Sequence, residues 1–202
     1  MNPIAKIGIG VTTVAGASGL SYGVYHNITT STYSKSLEGT LLNTEGETHK
    51  TNWEARLVSL KVATKDTLIN SLQSVKEKQN PVVAWTDLRD WCKGIIDNSN
   101  KGGKELQNIE NYCTFSIKEK LTNPISEIPS GNGDNQWAVG HTKLQGIDDK
   151  KLDSVLKTTK DKIKGAEANA AVKGWCTSVF SKPFKGEKDQ TFENASKVCV
   201  TG

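Results

Sequence analysis

WCKGIIDNSNKGGKELQNIENYC (residues 91–113) and WCTSVFSKPFKGEKDQTFENASKVC (residues 175–199) are the two stretches on which the fold turns. Each opens on Trp-Cys, carries Lys-Gly-x-Lys beginning nine residues after the Cys, then Glu-Asn, and closes on a second Cys. Four matched features in one order point to two copies of one unit. Apolar residues around the first Cys of the first stretch (Trp85, Leu88, Trp91, Cys92, Ile95) and through its return (Leu106, Ile109, Cys113, Ile117, Leu121) recur at helical spacing. The unit is then a helical hairpin turning at glycine, with its two cysteines facing one another. The repeat selects Cys92–Cys113 and Cys176–Cys199 among the three possible pairings. Loops of this size contribute on the order of 3 kcal/mol by restricting the unfolded chain. Buried free thiols are the competing state. A zinc site fits less well, because the cysteines lack the close C-x₂₋₄-C spacing of a knuckle.

Working outward, Trp53, Leu57, Leu60, Thr64, Leu68, Leu72 and Val75 predict one helix over residues 52–78. Asn80-Pro81 reads as the start of the next. Residues 122–146 are dense in Pro, Gly, Asn and Asp and read as a long loop between halves 52–121 and 147–202. A further helix is expected from Asp148 through Ala170, continuing or restarting to Phe180, with a short last one around Phe192 to Cys199. No segment reads as a strand, so the expected class is all-α.

At the amino end, residues 7–25 carry no formal charge, and at helical rise they span about 28 Å, close to a bilayer's hydrocarbon thickness. Residues 1–26 read as a weak transmembrane anchor. A cleaved signal peptide ending near Ala15-Gly16-Ala17 and a buried soluble helix are the alternatives. Lys6 on one flank puts the amino terminus inside and the rest outside. Residues 27–51, rich in Thr, Ser, Gly and Asn, read as a flexible stalk. Residues 52–202 then form the exterior domain.

The net charge is +4, and of 26 basic residues only Arg56 and Arg89 are arginine. Nucleic-acid and phosphate sites favour the arginine fork, so no nucleic-acid partner is expected. His26, His49 and His141 belong to no ligand or catalytic motif, and no phosphate-cradling loop follows a strand. Neither a catalytic residue, a metal nor a cofactor is expected. Trp137, inside the expected loop, is the one tryptophan placed as a possible contact residue. Asn27-Ile28-Thr29 and Asn194-Ala195-Ser196 match glycosylation sequons, which matter only in a eukaryotic secretory route.

The opening Met1-Asn2-Pro3-Ile4-Ala5-Lys6 with its Gly/Ala/Val/Ser segment, the repeated Trp-Cys and the Lys-rich, Arg-poor chain resemble the paralogous families of uncharacterised proteins of haemotropic mycoplasmas. The resemblance implies a wall-less bacterium living on red cells and a surface-displayed protein without established activity. The expected function is therefore a non-enzymatic antigen or host-contact module, touching a host-cell surface or host protein. The alternative is a structural or scaffold component of a membrane-associated complex. The sequence leaves the oligomeric state open.

Overall fold

The computed structural model describes residues 31–125 and 133–201, with side chains of the second stretch from Gln136 onward. The expected anchor, the first residues of the expected stalk and part of the expected loop lie outside the described residues. Among the described residues ten α-helices run in order: α1 (Tyr33–Ser36), α2 (Lys50–Val62), α3 (Asn70–Lys76), α4 (Trp85–Ile95), α5 (Gly103–Cys113), α6 (Ile117–Lys120), α7 (Gly133–Gln145), α8 (Ser154–Lys160), α9 (Ala166–Phe180) and α10 (Gln190–Val198). Among the described residues there is no strand, only isolated bridges between extended segments. No described helix is long and apolar enough to cross a membrane.

Both expected disulfides are present. Cys92 pairs with Cys113 and Cys176 with Cys199, at Cα separations of 5.7 and 5.6 Å. Each joins the third long helix of its unit to the last, α4 to α5 and α9 to α10. Each sits inside its own apolar core. One core gathers Tyr33, Trp53, Leu60, Leu72, Leu88 and Ile109 around the first disulfide. The other gathers Ile117, Ile125, Trp137, Leu156, Val172 and Ala195 around the second.

The contacts of the first core recur in the second. The Tyr33 amide donates to the Asn98 carbonyl, and 84 residues later the Ile117 amide donates to Lys182. Thr32 bridges Ser99, and Ser116 bridges Pro183. The Leu42 amide donates to the Cys113 carbonyl, as the Ile125 amide does to Cys199. Buried Asn108 donates its side-chain amide to the Thr67 carbonyl, and buried Asn194 donates to Lys151, both at 2.8 Å. Lys76 reaches back to the Ala63 carbonyl, and Lys160 to that of Ile147. A 3₁₀ turn stands between α2 and α3 at Lys65–Thr67, and between α7 and α8 at Asp149–Lys151. Phe115 is the junction. Its amide donates to Thr40 to close the first unit, while its carbonyl accepts from Phe184 in the second.

This arrangement moves the expected boundaries. Residues 31–51, expected to be stalk, belong to the first core. Tyr33 is fully buried, its hydroxyl donates to Glu105 at 2.7 Å, and Leu42 is buried beside Cys113. Their polar composition concealed this, because two large side chains and backbone pairing carry the docking. The second unit begins at Ser116 rather than at residue 147.

The helix expected over residues 52–78 is broken at Thr64, where the backbone turns extended. The Asn108 side chain takes the Thr67 carbonyl and the Ile69 amide, and Gln73 takes the Lys65 and Leu68 carbonyls, so these groups are satisfied without a continuous helix. The same break recurs after α7. Asp153 accepts from the Leu156 amide to start α8, and Ile163, expected on an apolar face, is 90% exposed between α8 and α9. After Asn80-Pro81 the chain waits until Trp85 to become helical, where Asp87 accepts from the Ala84 amide.

Candidate contact surface

Trp137 is not an exposed loop residue. It lies on α7 and is 2% exposed, packed in the second core. His141 lies one turn on, 3% exposed, with Nε2 at 3.1 Å from the Thr159 carbonyl oxygen and 3.2 Å from Gln145. Trp137, His141 and Leu144 take the places that Trp53, Leu57 and Leu60 hold on α2, 84 residues earlier. That inherited spacing was the available signal, and the Pro/Gly-rich approach to α7 obscured it. His49 accepts from the Asn43 amide at Nδ1 and meets Phe115 edge-on at 4.9 Å. The Asn194 sequon is closed to a glycan, since that side chain is buried in its hydrogen bond to Lys151.

No cluster of potential metal ligands exists among the described residues. Two buried tyrosines, Tyr33 and Tyr112, are shifted upward, chiefly by burial. Every shifted carboxyl among the described residues moves downward: Asp66, Asp87, Glu119, Asp149 and Glu167. These are carboxylates held ionised by hydrogen-bond donors and lysines or Arg56.

The most organised surface is the seam between units. Arg56, buried on α2, donates to the Thr114 carbonyl at 3.2 and 3.1 Å and pairs with Glu119 of α6. Burial works to raise the Glu119 carboxyl, but the Ser116 amide and the Arg56 charge outweigh it and hold the group below its ordinary value. Lys185 pairs with Glu110 at 3.0 Å, and the Lys120 ammonium lies 4.8 Å from the Phe115 ring and 5.3 Å from Phe184. Beside Arg56 a cavity of about 550 Å³ is lined by Ser59 and Asn111 from the first unit and by Lys118, Thr177 and Phe180 from the second.

The second unit has its own version of this groove, between α7 and α10. A depression of about 630 Å³ there is lined by Lys143, Gly146, Ile147, Asp148, Lys151, Ser196, Lys197 and Val200. Lys143 occupies the place of Ser59, and Lys197 that of Asn111. Lys143 donates to the Val200 carbonyl at 3.1 Å, the counterpart of the Thr114 carbonyl that Arg56 meets. Nothing described in the chain lies over it as α6 lies over Arg56.

Comparison of the chain with protein-family models, with curated proteins and with solved structures finds no match.

Proposed function

We propose that this protein is a membrane-anchored bacterial surface protein, and that its folded part is a duplicated, disulfide-stapled helical unit acting through contact with a host-cell surface or host protein. The observation that carries the reading is the pairing of all four cysteines, each pair sealed in its own core. Structural disulfides persist in oxidising compartments, which supports an exterior location. The uncharged segment at residues 7–25 supplies the means of attachment, and the resemblance to surface proteins of haemotropic mycoplasmas fits both. The recurrence of contacts at a step of 84 residues supports duplication as the origin of the two units. The organised features are a seam and an open groove, which supports contact rather than catalysis as the role.

The test is labelling of intact cells carrying the full chain with a membrane-impermeant, amine-reactive reagent. Lys61 and Lys157 are exposed on their helices and report on each unit separately. The expected result is modification of both before lysis. Labelling only after lysis, with a known surface protein labelled normally, overturns the exterior location.

A further inference from the structure

The groove between α7 and α10 differs from its counterpart in the first unit in a chemically specific way. In the first unit the groove between α2 and α5 faces the second unit, and α6 and α9 complete the wall of the cavity there. The short helix α6 brings Glu119 to Arg56, and Arg56 in turn holds the carbonyl at the end of α5. In the second unit the carbonyl at the end of α10 is held by Lys143 instead, while Arg56 is replaced by Gly140. The neutral Ser59, Thr67 and Asn111 of the first unit become Lys143, Lys151 and Lys197. Asp148 is the one carboxylate lining the depression, and it is engaged in accepting from the Lys150 amide. A groove whose twin faces a glutamate-bearing helix therefore carries three cations in place of three neutral side chains.

We propose that the α7–α10 groove binds an acidic helical segment of a partner protein, with carboxylates against Lys143, Lys151 and Lys197. The internal twin supplies the precedent, a short helix of the neighbouring unit that presents a carboxylate, Glu119, to a cation beside the groove, Arg56. Charge complementarity supplies the chemistry. Gly146, partly buried Val200 and the edge of Ile147 give the occupant's apolar side a place to rest. A second copy of this chain does not fit. The part that would enter head-to-tail is α1, the counterpart of α6, and it carries Lys35 where α6 carries Glu119. Such a copy would bring a lysine to three lysines.

The experiment uses the purified full chain in nonionic detergent, so it reads groove chemistry independently of where the protein resides in the cell. The probe is a fluorescent Glu/Ala/Leu helical peptide of about four turns, with a Gln-for-Glu version as its control. Affinity is followed by anisotropy, and contact sites by carbodiimide coupling of carboxylates to lysines with peptide mapping. Binding of the Glu peptide, coupling concentrated on Lys143, Lys151 and Lys197, and about tenfold weaker binding by the K143Q/K151Q/K197Q variant are expected. The K35Q/K61Q/K157Q variant removes the same charge elsewhere and should leave affinity nearly unchanged. Equal loss in both variants overturns the proposal in favour of diffuse attraction to a lysine-rich surface. Absence of binding overturns it outright. Tighter engagement of the same lysines by heparin or by phosphatidylglycerol vesicles than by the peptide overturns the assignment to a protein segment. Circular dichroism of both variants confirms that the comparison is between folded proteins.

Discussion

Gly140 is the residue at which helix propensity and packing make opposite predictions. It lies inside α7, where replacing glycine by alanine ordinarily stabilises an exposed helix by about 1 kcal/mol. A Cβ at this position, however, would stand 2.6 Å from the Val198 carbonyl oxygen and 3.1 Å from a Val172 methyl. The carbonyl cannot swing aside as a flexible side chain would. It belongs to the end of α10, held there by Cys199 in its disulfide and by the pairing of Ile125 with the Cys199 carbonyl. Accommodation therefore requires α7 and α10 to separate, and overpacking of this kind typically costs about 1–3 kcal/mol. With a backbone oxygen at 2.6 Å the cost lies in the upper part of that range, so Gly140→Ala is expected to destabilise by about 1–2 kcal/mol after the propensity gain, lowering Tm by roughly 3–6 °C. Gly94 and Gly174, in α4 and α9, are internal controls, since a Cβ at either meets nothing within 4 Å. Gly94→Ala and Gly174→Ala should each stabilise by about 0.5–1 kcal/mol. Thermal and urea unfolding under non-reducing conditions measure all three. If Gly140→Ala raises Tm alongside the controls, the close approach of α7 to α10 is wrong.

Two further outcomes follow from the seam and the cysteines. Because its folded pKa is depressed, Glu119 contributes stability that is fully present above the ordinary carboxylate range and lost as pH falls through its folded value. Glu119→Gln should accordingly cost roughly 1–2 kcal/mol near neutrality and almost nothing in acid below both values, and a urea-unfolding difference that persists there would refute the role of its charge. Non-reducing peptide mapping of alkylated native protein should recover Cys92 with Cys113 and Cys176 with Cys199, and reduction should destabilise each unit by about 3 kcal/mol. Four free thiols in protein taken directly from cells would remove the main support for an exterior location.

The all-helical class and the cysteine pairing were legible because each rests on strong local signals. The repeated Trp-Cys stands on amphipathic helices, and the turn between cysteines is short. Boundaries were less legible where docking relies on isolated residues. Tyr33 and Leu42 hold residues 31–51 to the first core, yet a Thr/Ser/Asn-rich stretch with two anchors has no periodicity to detect. Trp137 was misplaced because composition outweighed its i, i+4, i+7 spacing with His141 and Leu144. The repeat itself was seen through a misleading match. Glu110-Asn111 was paired with Glu193-Asn194 on sequence, but the buried, hydrogen-bonded asparagines that correspond are Asn108 and Asn194. The loop between the second unit's cysteines is two residues longer, with separations of 23 against 21, and this shifts the register from a step of 84 to one of 86. A backbone contact identifies the corresponding residue where a short motif does not.

Short helices, a modest apolar fraction and two buried disulfides are parts of one physical solution. The longest described helix, α9, has 15 residues and several have seven or fewer, lengths at which isolated helices are marginal in water. With 35% of residues hydrophobic, and the buried ones divided between two cores, neither unit has a large apolar reserve. A cross-link between the last two helices offsets this where it has most effect. The last helix of each unit also carries the buried asparagine that holds the 3₁₀ turn and the carbonyl that receives the unit's opening extended segment. Fixing that one helix organises the remainder. The seam between units, by contrast, is built largely from Arg56–Glu119, Lys185–Glu110 and the Lys120 ammonium over the Phe115 ring. Such contacts set the register of two already stapled bodies more than they stabilise either, which leaves the surface residues of each unit free to diverge. The lysines of the α7–α10 groove are one such divergence, on the counterpart of the face the first unit turns to the second.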